Sequence, residues 1–244
     1  MLENKEFETV FLKEEIEIVN SSLGFHNEIA RLNESPVESF FHALKEFFLN
    51  ILALIKNTLV KFMKFFNTNF NRVTMKTKST IKKIRKNKEE INRVMGNLSG
   101  PASTFLIWKS TDLRKHEDTL KYAGQEGFAA KCREFELELN EKDHYLEIPL
   151  TMSMDLEYVV NKSFEQFNEA KVFARSFKIS ADTMKATSET SIKFANKEIE
   201  EQKIRENQLL VNDLNKLNVI YRQVIKNSMQ SHVNLLNDVQ KYIS

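Results

Sequence analysis

"SFFHALKEFFLNILALIKNTLVKFMKFF", Ser39 to Phe66, decides how the rest of the chain is read. Eighteen of its 28 residues are apolar and seven are Phe, yet lysines recur through it and no acid follows Glu46. The longest run without a charge is Phe47 to Ile55, nine residues, where a bilayer needs about 20. A spanning segment is therefore excluded for this stretch. Phe40, Leu44, Phe47, Phe48, Ile51, Leu54, Ile55, Leu59, Phe62 and Phe66 instead follow a three-and-four rhythm, with Lys45, Asn50, Lys56, Asn57, Lys61 and Lys64 mostly off that stripe. That spacing predicts an amphipathic helix with a wide apolar face. The face is either the core of a helical bundle or a surface that meets lipid.

The helix has a marked start. Ser35 is a cap, Pro36 suits the first helical position, and Glu38 completes a Ser-x-x-Glu capping box. The net charge of +2 conceals a reversal at the same place. Residues 1–39 hold nine Glu against three Lys or Arg, and residues 40–95 hold thirteen Lys or Arg against three Glu. Eleven bases and no acid lie between Glu46 and Glu89, ending in "KKIRKNK", Lys82 to Lys88. Such a segment attracts phosphate, from nucleic acid or anionic lipid. Lys56, Lys61, Lys64, Lys82, Lys83, Arg85, Lys86 and Lys88 are the candidate contacts; the alternative is a plainly solvated helix face.

The chain of 244 residues is 41% apolar, enough for a real core. Five Gly and three Pro favour long helices over turn-rich β architecture. A single cysteine, Cys132, rules out an internal disulfide framework and suits a reducing compartment. Glu3, Glu6 and Glu8 stand where a secretory signal would carry its basic and apolar regions, so synthesis and folding in a cytoplasm are expected.

Four segments are expected: an acidic leader at 1–34, the Phe-rich and basic helical region at 35–95, a small α+β module at 101–152 and a helical region at 153–244. The second is one long helix, or two with a break near Asn67 to Asn71, closed by "GNLSGP" at Gly96 to Pro101. In the third, "TFLIWK" (Thr104 to Lys109) reads as a strand and Thr111 to Tyr122 as a short helix stopped by Gly124. "CREFELEL" and "YLEIPLTMSM" alternate apolar and polar, giving about three strands with "NEKDH" as a hairpin connection. Pro149 makes the last of these an edge strand. From Asp155 onward 90 residues contain neither Gly nor Pro, which leaves little but helix. Leu210, Leu214, Leu217, Tyr221, Val224 and Ser228 step 4-3-4-3-4, the seam of an antiparallel hairpin or of an intermolecular coil. The fold class is mainly α: long helices in a bundle or hairpin with a small α+β insertion.

Catalytic patterns are missing. There is no Gly-x-Ser-x-Gly, no His-Glu-x-x-His and no phosphate-cradling Gly-rich loop; "AGQEG" (Ala123 to Gly127) lacks the Lys-Ser/Thr that would complete one. His26, His42, His116, His144 and His232 are scattered, and none pairs with Cys132 or another His at metal-ligand spacing. His144 beside Asp143 reads as a loop residue, and Cys132, between Lys131 and Arg133, as a small apolar filler. A non-enzymatic protein without cofactor or metal is expected.

Taken in order, the acidic leader, the Phe-rich lysine-studded helix, the basic continuation and the helical C-terminal half resemble the internal head proteins of large tailed bacteriophages. The resemblance is one of layout and texture and carries no diagnostic motif. It implies a virion protein made in the bacterial host cytoplasm and packaged in the capsid interior, with other virion proteins and packaged DNA as partners, and with ejection alongside the genome. It also implies trimming by a maturation protease that cuts after Glu in Leu-x-Glu or Ile-x-Glu. Six such triplets occur, about the number chance would give; Leu32-Asn33-Glu34 stands at the charge reversal, so processing would fall between Glu34 and Ser35. Two other functions compete. One is a membrane-active, pore-forming effector that lays the 39–66 helix on an anionic membrane surface. The other is a host-directed inhibitor acting through the α+β module.

Overall fold

The computed structural model describes residues 37–96, 104–141, 144–149, 156–197 and 199–243. The expected acidic leader, the Ser35 cap, the Glu34–Ser35 processing point, His26, Asp143 and most of "GNLSGP" lie outside the described residues. The fold is mainly α. Helix α1 (Val37–Leu54) passes through a π-helical turn (Ile55–Leu59) into α2 (Val60–Lys86), and α3 (Lys88–Gly96) follows. Strand β1 (Thr104–Trp108), a 3-10 helix (Ser110–Tyr122), α4 (Phe128–Leu139) and β2 (Tyr145–Pro149) come next. Two long helices finish the chain, α5 (Leu156–Ala195) and α6 (Glu201–Ile243).

No break occurs at Asn67 to Asn71. Phe66, Phe70 and Val73 carry the buried stripe straight through, so the asparagines fall on the outer side of a continuous helix. The stripe also runs further than Phe66: Phe70, Val73, Thr77, Thr80, Ile84 and Ile91 keep the same rhythm and are all buried. All ten residues from Phe40 to Phe66 singled out in the sequence are buried, Ile55 being the most exposed at 7%. Each large apolar side chain so removed from water contributes roughly 1.5–3 kcal/mol.

Among the described residues two strands are found where about three were expected. β1 and β2 pair antiparallel with Trp108 opposite Tyr145 and Thr104 opposite Pro149. "CREFELEL" is helical instead and forms most of α4, so "NEKDH" joins a helix to a strand and is no hairpin turn. The local alternation of Phe135, Leu137 and Leu139 misleads, because Leu137 is 62% exposed. Phe128, Cys132, Phe135 and Leu139 are the buried set, spaced 4-3-4, which is helical spacing. Pro149 sits on a strand with a single paired side, where its missing N–H removes no ladder bond.

The helix expected at Thr111 to Tyr122 is present as thirteen residues of 3-10 helix. Its buried residues Ser110, Leu113, His116 and Thr119 recur every third position, the repeat of that helix type. Gly124 follows with φ +75°, and a Cβ there would lie 3.2 Å from the Cβ of Leu210. The backbone angle favours glycine, and the close approach leaves a side chain little room.

The chain groups into two compact units, each assembled from separated stretches. The first contains, of the described residues, 37–65, Thr119–Ala129 and Ser176–Val219. Its core joins Phe62 to Phe177 (ring centroids 5.0 Å apart) and Phe47 to Phe48 (5.0 Å). Here α5 and α6 form an antiparallel hairpin: Ser180 donates to the Leu214 carbonyl, Asn218 to Met184 Sδ and Asn207 to Ser191. Leu214 and Leu217 of the expected seam are buried in it, and Leu210 is half-buried. Gly124 N–H donates to the buried Asp213 carboxylate (2.9 Å). Burial pushes that carboxyl's pKa up, against the opposing pull of the Gly124 bond.

The second unit contains Phe66–Asp118, Ala130–Arg175 and residues 220–243. Phe70 stacks on Phe167 at 4.4 Å, and Phe135 meets Phe173 and Tyr221. The two-stranded sheet belongs to this unit. The stripe's role in the first unit is directly testable. Ile51→Val should cost about 0.5–1.5 kcal/mol in denaturant unfolding, whereas Ile51→Asp should abolish the cooperative transition by placing a carboxylate in an apolar interior. Two variants of wild-type stability would show that this face is not core.

Candidate functional site

Helix α2 has two chemically opposite sides. Its inner side is the apolar stripe, and its outer side carries lysines at many of the exposed positions, with no acid among them. All eight basic candidates from the sequence, Lys56, Lys61, Lys64, Lys82, Lys83, Arg85, Lys86 and Lys88, are exposed. Lys56, Lys61 and Lys64 belong to the first unit and the other five to the second, so compactness does not gather the eight into one group.

Within the second unit Lys82 and Lys86 share a row with Lys78, at four-residue steps along one face of the helix. Lys83 and Lys88 are exposed beside them. Arg85 differs from its neighbours, because its guanidinium grips the Glu157 carboxylate through Nε at 3.0 and 3.1 Å and through Nη2. The Glu157 bond and charge raise the arginine pKa and lower that of the carboxyl. Glu90 is held by Arg93 at 2.7 Å. Lys76, on the flank, donates to Asn237 at 3.0 Å. Lys78 did not stand out in the sequence; the signal that finds it is the 78-82-86 spacing.

Behind this face lies a buried polar chain. Thr77, Ser163 and His232 are all buried in the second unit. Thr77 donates its hydroxyl proton to the Val73 carbonyl (2.9 Å), so at its 2.8 Å contact with His232 Nε2 the ring must be the donor. Nδ1 is then bare and accepts from the Ser163 hydroxyl at 2.8 Å. Phe167 stacks on the ring at 5.0 Å and Phe164 lies tilted at 5.7 Å. Removal from water drives the imidazole pKa down to about 3. A serine hydroxyl on a histidine nitrogen is the geometry of an activated nucleophile. This ring, however, is 1% exposed and a weak base near neutrality, so the pair ties three helices together and meets no substrate. In sequence this ring is one of the scattered histidines; the signal that finds it is the four-residue step from Ser228, where the α6 seam ends.

His116 and His144 are buried as well. His116, at one of the buried 3-10 positions, bonds Glu138 at 2.6 Å and stacks on Phe135. Burial alone would raise the Glu138 pKa, but bonds from Lys115 and His116 outweigh it and lower it. His144 is a loop residue as expected, immediately before β2, but a buried one: it packs against Trp108, its ring centroid 4.9 Å away, and burial followed by the Lys109 charge lowers its pKa. Cys132 is free and buried in α4. Among the described residues no three His, Cys, Asp or Glu side chains converge as metal ligands, and no helix is long and apolar enough to cross a membrane.

Compared with known proteins, the chain matches no family model, no curated protein sequence and no solved structure at a significant level.

The buried ring makes a pH prediction. The folded chain keeps His232 neutral down to about pH 3, while the unfolded chain takes up its proton near pH 6.5. Its contribution is therefore complete above pH 6.5 and is lost as pH falls toward 3, at up to about 1.4 kcal/mol per pH unit. Denaturant unfolding between pH 7.5 and 4.5 should show a steeper loss for the wild type than for His232→Gln. Parallel slopes would mean that the ring is protonated in the folded state.

Proposed function

We propose that the chain is a non-enzymatic virion protein of a large tailed bacteriophage, packaged inside the capsid, where its lysine-bearing helix lies against DNA phosphates. The observation that carries this reading is the outer side of α2 and α3 in the second unit. Lys78, Lys82 and Lys86 form one row, with Lys83 and Lys88 beside them, and the opposite side of the same helix is buried. A row of point charges on a rigid rod suits a regular polyanion and asks for no base-specific contact. The resemblance in layout to internal head proteins supplies the setting, with other virion proteins as neighbours and the capsid interior as the location.

The membrane-active alternative uses the same helix differently. It needs the Phe40 to Phe66 stripe to leave its core and enter lipid, because in the folded chain those ten side chains are already buried. The DNA reading needs no such opening, since the lysines are exposed as they stand.

Fluorescence anisotropy with duplex DNA over a salt series tests the proposal. Affinity should fall linearly in log–log form with salt, and Lys82→Glu/Lys83→Glu/Lys86→Glu should weaken binding and flatten the slope by about one unit per lysine lost. Unchanged binding by the triple variant would remove this face from the reading. Flotation with anionic vesicles that outcompetes DNA would favour the membrane alternative. Mass spectrometry of purified particles tests the setting, and absence of the polypeptide would reject it.

A further inference from the structure

Strand β1, in the second unit, has two edges. Lys109 N–H donates to the His144 carbonyl (3.0 Å), which continues the Trp108–Tyr145 register and fixes which backbone groups face β2. They are those of residues 105, 107 and 109, because ladder bonds alternate along an antiparallel pair. Thr104, Leu106 and Trp108 therefore aim their N–H and C=O groups the other way. Trp108 N–H finds Ser231 Oγ on α6 at 3.0 Å. Two residues back, the Leu106 amide and carbonyl have no partner among the described residues. A cleft of about 320 Å³ opens there, with Thr104, Leu106 and Tyr145 on one wall and Asn227, Asn234 and Asp238 of α6 on the other.

We propose that this cleft binds a short extended peptide segment, added to β1 as a third strand, with a lysine or arginine side chain directed to Asp238. An unpaired strand edge presents N–H and C=O groups at strand spacing, and another peptide backbone matches them. The volume is near the lower end of about 300–1,000 Å³ for ligand pockets, which limits the segment to a few residues. Leu106 and Tyr145 are exposed large side chains on the strand wall and supply apolar contact for alternate residues. Charge selects the side chain: Asp238 is the one charged residue among those lining the cleft. Asp238 pairs with Lys241 at 2.7 Å, but that pair is exposed and separated by three residues on one helix, so an incoming cation can share or replace it at little cost. The site's preference is thus opposite to that of the lysine row, and it stands whether or not the chain binds DNA.

Hydrogen exchange of the full chain, read at the Leu106 amide, tests the proposal with acetyl-Val-Lys-Val-amide as probe. Saturating peptide should slow that amide about tenfold, the effect of one added hydrogen bond. The backbone N-methylated tripeptide should give no slowing, and acetyl-Val-Glu-Val-amide should bind more weakly. Asp238→Asn, at a half-buried position whose side chain reaches solvent, should keep the wild-type melting curve and lose the preference for lysine over glutamate. The proposal is overturned by an unslowed Leu106 amide at peptide concentrations up to about 10 mM, by equal protection from the N-methylated peptide, or by equal binding of the lysine and glutamate peptides.

Discussion

Hydrophobic burial of one helical stripe organises the structure. From Phe40 through Phe66 and on to Ile84, apolar or small side chains recur every three or four residues along a helix that stays helical through a π turn. Left in water they would form a patch far larger than soluble chains expose, so the helix requires partners along its length. The long helices α5 and α6 supply them, and each contributes residues to both compact units. The lysines follow from the same constraint. Once the stripe faces inward, they occupy the positions left outside, and a basic outer face results without any separate scaffold.

Helix α6 meets a second constraint. In the first unit Val211, Asp213, Leu214, Asn215, Leu217 and Asn218 are buried, and in the second Ile220, Tyr221, Arg222, Val224, Ile225, Ser228 and His232. A helix covered on so much of its circumference brings polar groups inside, and a buried polar group without a partner costs about 1–3 kcal/mol. The solution recurs with different chemistry: a glycine N–H for Asp213, a methionine sulfur for Asn218, a serine hydroxyl for Ser228, and two hydroxyls for His232. Each such bond also fixes register, because sliding by one residue would break it.

The helical character and the stripe were legible because long-period patterns need only local sequence. Strand β1 and the position of Pro149 were legible for similar reasons. What failed was short-window reading. Three alternating apolar residues in "CREFELEL" suggested a strand, whereas the twelve-residue window from Phe128 shows helical spacing with Leu137 outside it. The asparagines at 67–71 suggested a break because composition was weighed above the continuing positions of Phe66, Phe70 and Val73. The lysine row was partly legible, since charge density is visible in sequence; the loss of Arg85 to Glu157 was not, because that partner lies 72 residues away. The Leu106 edge was invisible for another reason: which backbone groups are left unpaired depends on strand register, and side-chain identity does not encode it.

The 3-10 helix at Ser110–Tyr122 makes helix type itself carry information. In that helix every third residue points the same way, so Ser110, Leu113, His116 and Thr119 stay aligned. Wound as an α-helix, the same residues would drift by about 60° at each step, and Thr119 would end roughly opposite Ser110. The segment would also shorten by about 6 Å, at 1.5 rather than 2.0 Å of rise per residue. A change of winding would therefore expose part of that buried line and draw the two ends together, with no change in sequence at all. What this stretch places inside is set by its pitch as much as by its letters.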